Sequence, residues 1–170
     1  MNENLKISEA GIALIKEFES LHDGDLTMIG LQPKMCPAGV WTEGYGHAIT
    51  DKIGRQLKGP QNKEMAYRMS VVKDEQTAVL VLKKDLLRYE ATVRQNIRVA
   101  LQQNEWDALV SHTYNTGGSK VLFNLVNAVP RNDDTLRVWW TTKYTTANGI
   151  VLPGLVRRRK AEADLFFNCK

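Results

Sequence analysis

The 170 residues carry 43% hydrophobic and 25% charged side chains with 12 Gly and 5 Pro, the balance of a packed globule and not of a disordered or collagen-like chain. At 19.2 kDa the chain fits one domain that buries about two-thirds of the surface its unfolded form exposes, which excludes a large multi-domain machine. Its formal charge of +4 favours acidic polymers as partners but is too thinly spread to indicate nucleic acid.

In chain order, the opening residues lack the basic and then apolar layout of a secretory leader, and the longest apolar run, 78–82, is far too short to cross a bilayer. Synthesis in the cytosol and no stable membrane insertion are the expectation. Ser8 is the expected N-cap of a helix from Glu9 to about Leu21, with Glu9 complementing the dipole. Gly11, Leu14, Ile15 and Phe18 form its apolar stripe, which leaves Glu19 at the edge of buried surface. Residues 22–37 lose periodicity around Asp23-Gly24-Asp25, Gly30 and two prolines, and read as an irregular loop. Val40 to Thr50, rich in strand formers with Gly44 and Gly46 as bend points, reads as a short antiparallel hairpin and the one β region.

After Gly59-Pro60 helical patterning returns. Asp74 is placed to cap a long helix over 74–97 with apolar positions Ala78, Val79, Leu82, Leu86, Tyr89, Val93 and Ile97. Leu80, Val81 and Leu87 occupy its other faces, so much of it is expected to be surrounded by protein. Further helices are predicted at Glu105 to Tyr114, ended by Gly117-Gly118, at Lys120 to Asn127, at Asp133 to about Tyr144, and at Gly154 to Phe167. The expected class is α+β, mainly α: one domain with lobes at about 1–73 and 98–170 joined by the helix at 74–97. Cys36 and Cys169 lie too far apart in sequence for a metal-type pair, and free thiols are expected.

Phe18-Glu19, Cys36 to Thr42 and Gly44-Tyr45-Gly46-His47 form the most informative constellation. Desolvation favours the protonated form of a carboxyl, the state a general acid needs, and Glu19 is the acid candidate. A solvated helix-end carboxylate is the alternative for the same residue.

These blocks resemble the phage-type lysozymes, or endolysins, of glycoside hydrolase family 24: a helix ending in Phe-Glu-Gly, then an Asp or Cys, a Thr six residues later, and Gly-Tyr-Gly-His. The resemblance continues at Trp106-Asp107-Ala108-Leu109-Val110-Ser111, at Tyr114-Asn115-Thr116-Gly117 and from Gly154 to Glu162, so it covers nearly the whole chain. Two departures stand out in side-chain type: Ser20 replaces the usual Gly, and Glu43 stands where an apolar residue is common. A third is length, because the stretch from His22 to Met35 carries about eight residues more than the family spacing.

The resemblance implies a lysozyme-like fold with two lobes around a cleft. It also implies hydrolysis of the β-1,4 bond between N-acetylmuramic acid and N-acetylglucosamine in peptidoglycan. In that reading Glu19 protonates the leaving oxygen, while Thr42, helped by Cys36, holds the attacking water. His47 pairs with Asp85 to support the site, Arg158 reaches Glu19 and modulates its charge, and Asn115 faces the saccharide. Asn115 also reads as a helix-end residue serving its turn, and part of the run 157–160 as a solvated face. A neutral thiol does not replace a carboxylate electrostatically, so Cys36 is an assistant, with Asp23 and Asp25 as nearby acids that share the task.

No metal or organic cofactor is expected, since no Gly-rich phosphate loop or His/Cys ligand set is present. A monomer is expected, made in the host cytoplasm, released through a membrane hole formed by a holin, and acting on the wall in the periplasm or beyond the membrane. The competing readings are a wall-binding relative without catalysis, a lytic transglycosylase, and a cysteine peptidase or amidase built on Cys36 and His47.

Overall fold

The computed structural model describes residues 2–168. The chain runs α1 (Glu9–Glu19), β1 (Lys34–Met35), β2 (Trp41–Glu43), β3 (His47–Ala48), a 3₁₀ turn at Pro60–Asn62, α2 (Lys63–Met69) and α3 (Glu75–Asn96). It continues through α4 (Gln103–Thr116), α5 (Lys120–Asn127), α6 (Asp133–Thr142), β4 (Thr146–Ala147), β5 (Ile150–Val151) and α7 (Pro153–Phe166). Two compact units result: residues 19–85, and residues 1–18 together with 86–170. The division differs from the expected lobes at 1–73 and 98–170, because most of α1 and the second half of α3 belong with the C-terminal helices.

In the helical unit, α4 packs against α7, α6 against α7, and α5 against α6. Trp106, Leu109, Leu122, Leu136, Trp140 and Phe166 are all buried there. α1 joins this core through Ile12 and Ile15, and its first turn is pinned by Asp107, which accepts from the Ser8 N–H at 2.9 Å and from the Ser8 hydroxyl. Ser8 itself caps α1, its carbonyl accepting from Ile12 N at 3.0 Å. His112 is buried among the rings of Trp139, Trp140 and Tyr144, and burial, with Arg159 and Arg158 nearby, holds it well below its ordinary pKa, as a neutral imidazole.

The smaller unit is built on an antiparallel sheet in the order β1-β2-β3. Trp41, Ile49, Leu57 and Ala66 form its core, with Met65, Tyr67 and Met69 packed against them, and the Trp41 indole donates to Gly59 O at 2.8 Å. Asp74 caps α3 as expected: its carboxylate accepts from Thr77 N at 2.7 Å.

Several expectations need correction. Residues 22–37 are not wholly irregular, since Lys34 and Met35 pair with Thr42 and Trp41. The region at 40–50 is not the one β region either. β4 and β5 form a hairpin around Asn148-Gly149, whose φ angles of 51° and 76° are those of a tight primed turn. That dipeptide is a strong hairpin signal, and it lies between the predicted helices, which end at about Tyr144 and resume at Gly154. Leu80 and Leu87 are exposed, at 62% and 61%, so α3 is less enclosed than its apolar content implies. Cys36 is a free thiol, and Cys169 lies outside the described residues.

Ser20, directly after α1, sits at φ 56°, a left-handed conformation that costs an L-residue about 1 kcal/mol or more. Gly takes this conformation without that cost. Ser20→Gly is expected to stabilise the fold by about 0.5–1 kcal/mol, net of the entropy Gly loses on folding, read as a higher urea midpoint at unchanged slope.

Candidate active site

The smaller unit gathers Glu19, Cys36, Thr42, His47 and Asp85. α1 ends at Glu19, which is half-buried. The left-handed Ser20 turns the chain, and His22 N then donates to Gly44 O at 2.8 Å, tying the segment after the acid candidate to the turn after β2. Gly44 permits this: its φ is 56°, and a Cβ there would lie 3.3 Å from that of Ala78 and 3.4 Å from Val72 Cγ2.

β1 and β2 are joined by Cys36-Pro37-Ala38-Gly39. Gly39 N donates to Cys36 O at 2.8 Å and Cys36 N to Val40 O at 2.8 Å, while Gly39 takes φ 75°. This is a turn with Pro at its second position closed by a left-handed Gly, a standard way to end a short hairpin. Register then fixes the faces. Lys34 pairs with Thr42 and Thr42 with Ala48, so these share one face, and alternation adds Cys36. Met35, Trp41, Glu43 and His47 share the other.

The Thr42 side chain is 7% exposed, and its hydroxyl donates to Lys34 O at 3.0 Å. With its one hydrogen committed to a main-chain carbonyl, Oγ1 is left as a fixed acceptor, the polarity needed to hold a water by one of that water's hydrogens. On the opposite face His47 Nδ1 lies 2.7 Å from the Asp85 carboxylate of α3. The faces therefore separate Cys36 from His47, and the thiol and imidazole do not form a nucleophile and base pair.

Glu43 is explained by the backbone it serves. Buried to 2% exposure, it accepts from Val72 N at 3.0 Å, Val71 N at 3.1 Å and the Ser70 hydroxyl at 2.6 Å, satisfying the chain between α2 and α3. The hydrogen bonds of Asp23 and Asp25 go to their own loop. Asp23 accepts from Gln32 N at 3.2 Å, and Asp25 accepts from the Thr27 hydroxyl at 2.6 Å and from Thr27 N, bonds that hold the Asp25 carboxyl below its ordinary pKa.

His22 and Lys34 are neighbours that the sequence reading missed. Burial and then the Lys34 ammonium push the His22 imidazole below its ordinary pKa, while Glu19 pulls it up, so the three form one electrostatic group. The spacing of His22 three residues after Glu19 was the available signal.

Asn115 and Arg158 belong to the helical unit. Asn115 Oδ1 accepts from Arg159 Nη2 at 2.7 Å, which orients the amide and leaves its N–H groups as donors. Arg158 is 3% exposed, pairs with Glu162 at 3.1 Å, and lies 5.9 Å from the Phe18 ring. Arg158 and Arg159 are thus core residues, and only the outer members of the 157–160 run are solvated. Among the described residues no three His, Cys, Asp or Glu side chains stand together as metal ligands, and no helix is long and apolar enough to cross a membrane.

Residues 27–162 match the phage lysozyme family. The chain belongs to that family. An endolysin of Acyrthosiphon pisum secondary endosymbiont phage 1 is 30% identical over 167 residues, which cover 95% of this chain and 98% of that protein. Among solved structures, the muramidase domain of SpmX from Asticaccaulis excentricus is 30% identical at a TM-score of 0.69, covering 96% of this chain and 98% of its own. An endolysin from Escherichia coli O157:H7 phage FAHEc1 is 26% identical at a TM-score of 0.71, covering 98% and 96%. The fold is lysozyme-like, mainly helical with a small antiparallel sheet, as the sequence motifs imply.

Proposed function

We propose that this phage lysozyme family member hydrolyses the β-1,4 bond between N-acetylmuramic acid and N-acetylglucosamine in bacterial peptidoglycan. Glu19 is the general acid, and Thr42, assisted by Cys36, positions the attacking water. The observation that carries the reading is the Thr42 hydroxyl fixed as an acceptor by its bond to Lys34 O. Glu19 gives its proton to the bridging oxygen as the bond to the anomeric carbon breaks. The water adds its oxygen to that carbon and releases a proton, and Glu19 is reprotonated from solvent. Inversion follows from this arrangement, because a water and not a carboxylate meets the far face of the sugar.

Around this centre, His47 and Asp85 brace β3 against α3, and Asn115 is a saccharide contact whose donors suit N-acetyl carbonyls. The enzyme acts on the cell wall. Release by a holin and action as a monomer complete the proposal.

Mass analysis of digested peptidoglycan tests the reaction: new reducing ends are expected. Anhydro-muramic ends would instead show transglycosylase chemistry, new free amino groups a peptidase or amidase, and an undigested wall a binding protein. Cys36→Asp is expected to keep activity within about threefold, since the family's pattern accepts either residue and an acceptor beside the water is retained. A hundredfold loss in that variant, measured as reducing ends released per minute, would make the thiol indispensable and the assignment wrong.

A further inference from the structure

The smaller unit holds a cavity of about 600 Å³ to which none of Glu19, Cys36 and Thr42 contributes. One wall is the tight loop at 51–55. The Asp51 carboxylate accepts from Ile53 N at 3.0 Å, Arg55 N at 2.9 Å and Arg55 Nε at 2.8 Å, while Asp51 N donates to Arg55 O at 2.9 Å, so the loop is held in one shape. The other wall is α2, where Met65, Arg68 and Met69 fall at i, i+3 and i+4 and share one face. Both methionines pack on the core of Trp41, Ile49, Leu57 and Ala66, which fixes the floor.

The charge around this cavity is one-sided. Lys52, Arg55 and Arg68 line it against Asp51 alone, and Arg55 neutralises Asp51. Lys52 and Arg68 are exposed, and among the described residues neither has a carboxylate within ion-pair distance. Acids on the flanking elements do not change the balance. Glu64 of α2 is outside the lining, Glu43 is committed to Ser70, Val71 and Val72, and Asp25 acts on Lys63, which is not a lining residue. From 51 to 69 the chain carries five basic and two acidic residues.

These features select the ligand. Neither an aromatic ring nor an amide side chain lines the cavity, so a nucleic-acid base has no stacking partner and a neutral sugar no amide to bind. The rim is wet, with Ile53 open at 73% and the Arg55 side chain at 76%, so a long alkyl chain would stay in contact with water. A short chain with methyl side groups and one terminal carboxylate fits better. Thioethers adapt to small apolar groups, and a guanidinium takes a carboxylate through paired N–H donors. Peptide stems of peptidoglycan that end in D-alanyl-D-alanine with a free carboxylate have this chemistry.

We propose that the cavity binds the D-alanyl-D-alanine terminus of an uncrosslinked wall peptide, with Arg68 and Lys52 on its carboxylate and Met65, Met69 and Ile53 against its methyl groups. The assignment rests on the proposed hydrolysis for the identity of the polymer, and it ties the enzyme to strands whose stems are not yet joined.

The test is an NMR titration of the full chain, carrying methyl-labelled methionine, with diacetyl-L-Lys-D-Ala-D-Ala and with its C-terminal amide. The Met65 and Met69 methyl signals are expected to move with the acid, while those of Met28 and Met35 stay. Binding is expected to weaken about fivefold with the amide, and as much in the double variant Arg68→Gln and Lys52→Gln, the scale of an exposed charge pair. The amide makes the same comparison on the unaltered protein, so a folding defect in the variant does not decide the outcome. Unmoved Met65 and Met69 signals, equal binding of the amide, or undiminished binding by a folded double variant overturns the proposal. Tighter binding of octanoate than of the peptide would make the cavity an acyl-anion site, and methyl shifts that follow protein concentration without peptide would make it a contact between copies. Either result also overturns it. The titration involves no turnover and the reducing-end assay no added peptide, so failure of the cavity and failure of the hydrolysis are read separately.

Discussion

Glu19→Gln is expected to lower the release of reducing ends from peptidoglycan by at least about a hundredfold, the scale on which a positioned general acid contributes. The amide matches the carboxyl in size and polarity, so the end of α1, the left-handed Ser20 and the His22 to Gly44 backbone bond remain as they are. What is lost is the proton delivered to the bridging oxygen. Sedimentation with insoluble wall material is therefore expected to show retained binding, and the thermal midpoint is expected to stay close to that of the unaltered protein. Retention of more than a tenth of the activity would remove Glu19 from the role of acid. Equal loss of binding and turnover would make it a substrate contact instead. The same substitution probes its neighbour. Glu19 is the group that raises the His22 pKa against burial and Lys34, so removing its charge is expected to move the His22 titration further down, an effect readable by NMR in the absence of substrate.

How much of this was legible in the sequence depends on whether the signal was local. α5, α6 and α7 begin within a residue of their predicted starts because Ser119, Asn132 and Pro153 mark them locally. Asp74 caps α3 for the same reason. Glu19, Thr42 and His47 are picked out as site candidates by a motif, since each lies at an element end or in a strand whose flanking glycines set the turn. The misses need the third dimension. Lys34 and Met35 make no strand by composition, and they pair only because the Cys36 to Gly39 turn returns the chain as β2. Glu43 looks out of place in a strand until Val71 and Val72, far along the chain, present the N–H groups it satisfies. Part of the basic run at 157–160 reads as surface, and which part is decided in three dimensions: Arg158 and Arg159 are buried because a single carboxylate one turn further along the helix receives both.

That carboxylate carries the largest expected effect on stability. Glu162 is wholly buried on α7, with Arg158 Nε 3.1 Å from one oxygen and Arg159 Nη1 3.2 Å from the other. The Ser111 hydroxyl donates to it at 2.8 Å and the Trp140 indole at 3.3 Å. Burial raises its pKa above the ordinary carboxylate value, and Arg159 and Arg158 oppose that rise. Glu162→Gln keeps the volume but deprives two guanidinium groups, exposed by only 3% and 0%, of their common counter-charge. Breaking one side of a buried ion cluster in this way costs about 3–5 kcal/mol, a loss expected to appear as a lower urea midpoint and a thermal midpoint reduced by roughly 6–20 °C for a chain of this length. The cost lies in the stranded charges and not in the missing carboxylate alone. Replacing all three together by Met at 158 and 159 and Leu at 162 is therefore expected to recover most of the stability lost by Glu162→Gln, since an apolar cluster of similar volume often equals a buried ion pair. If the triple variant is instead less stable than the single one, the cluster stabilises the helical unit through its hydrogen bonds to Ser111, Trp140 and Asn115. Additive losses across the three positions in a mutant cycle would also count against stranded charge as the cause, because groups sharing one counter-charge do not contribute independently.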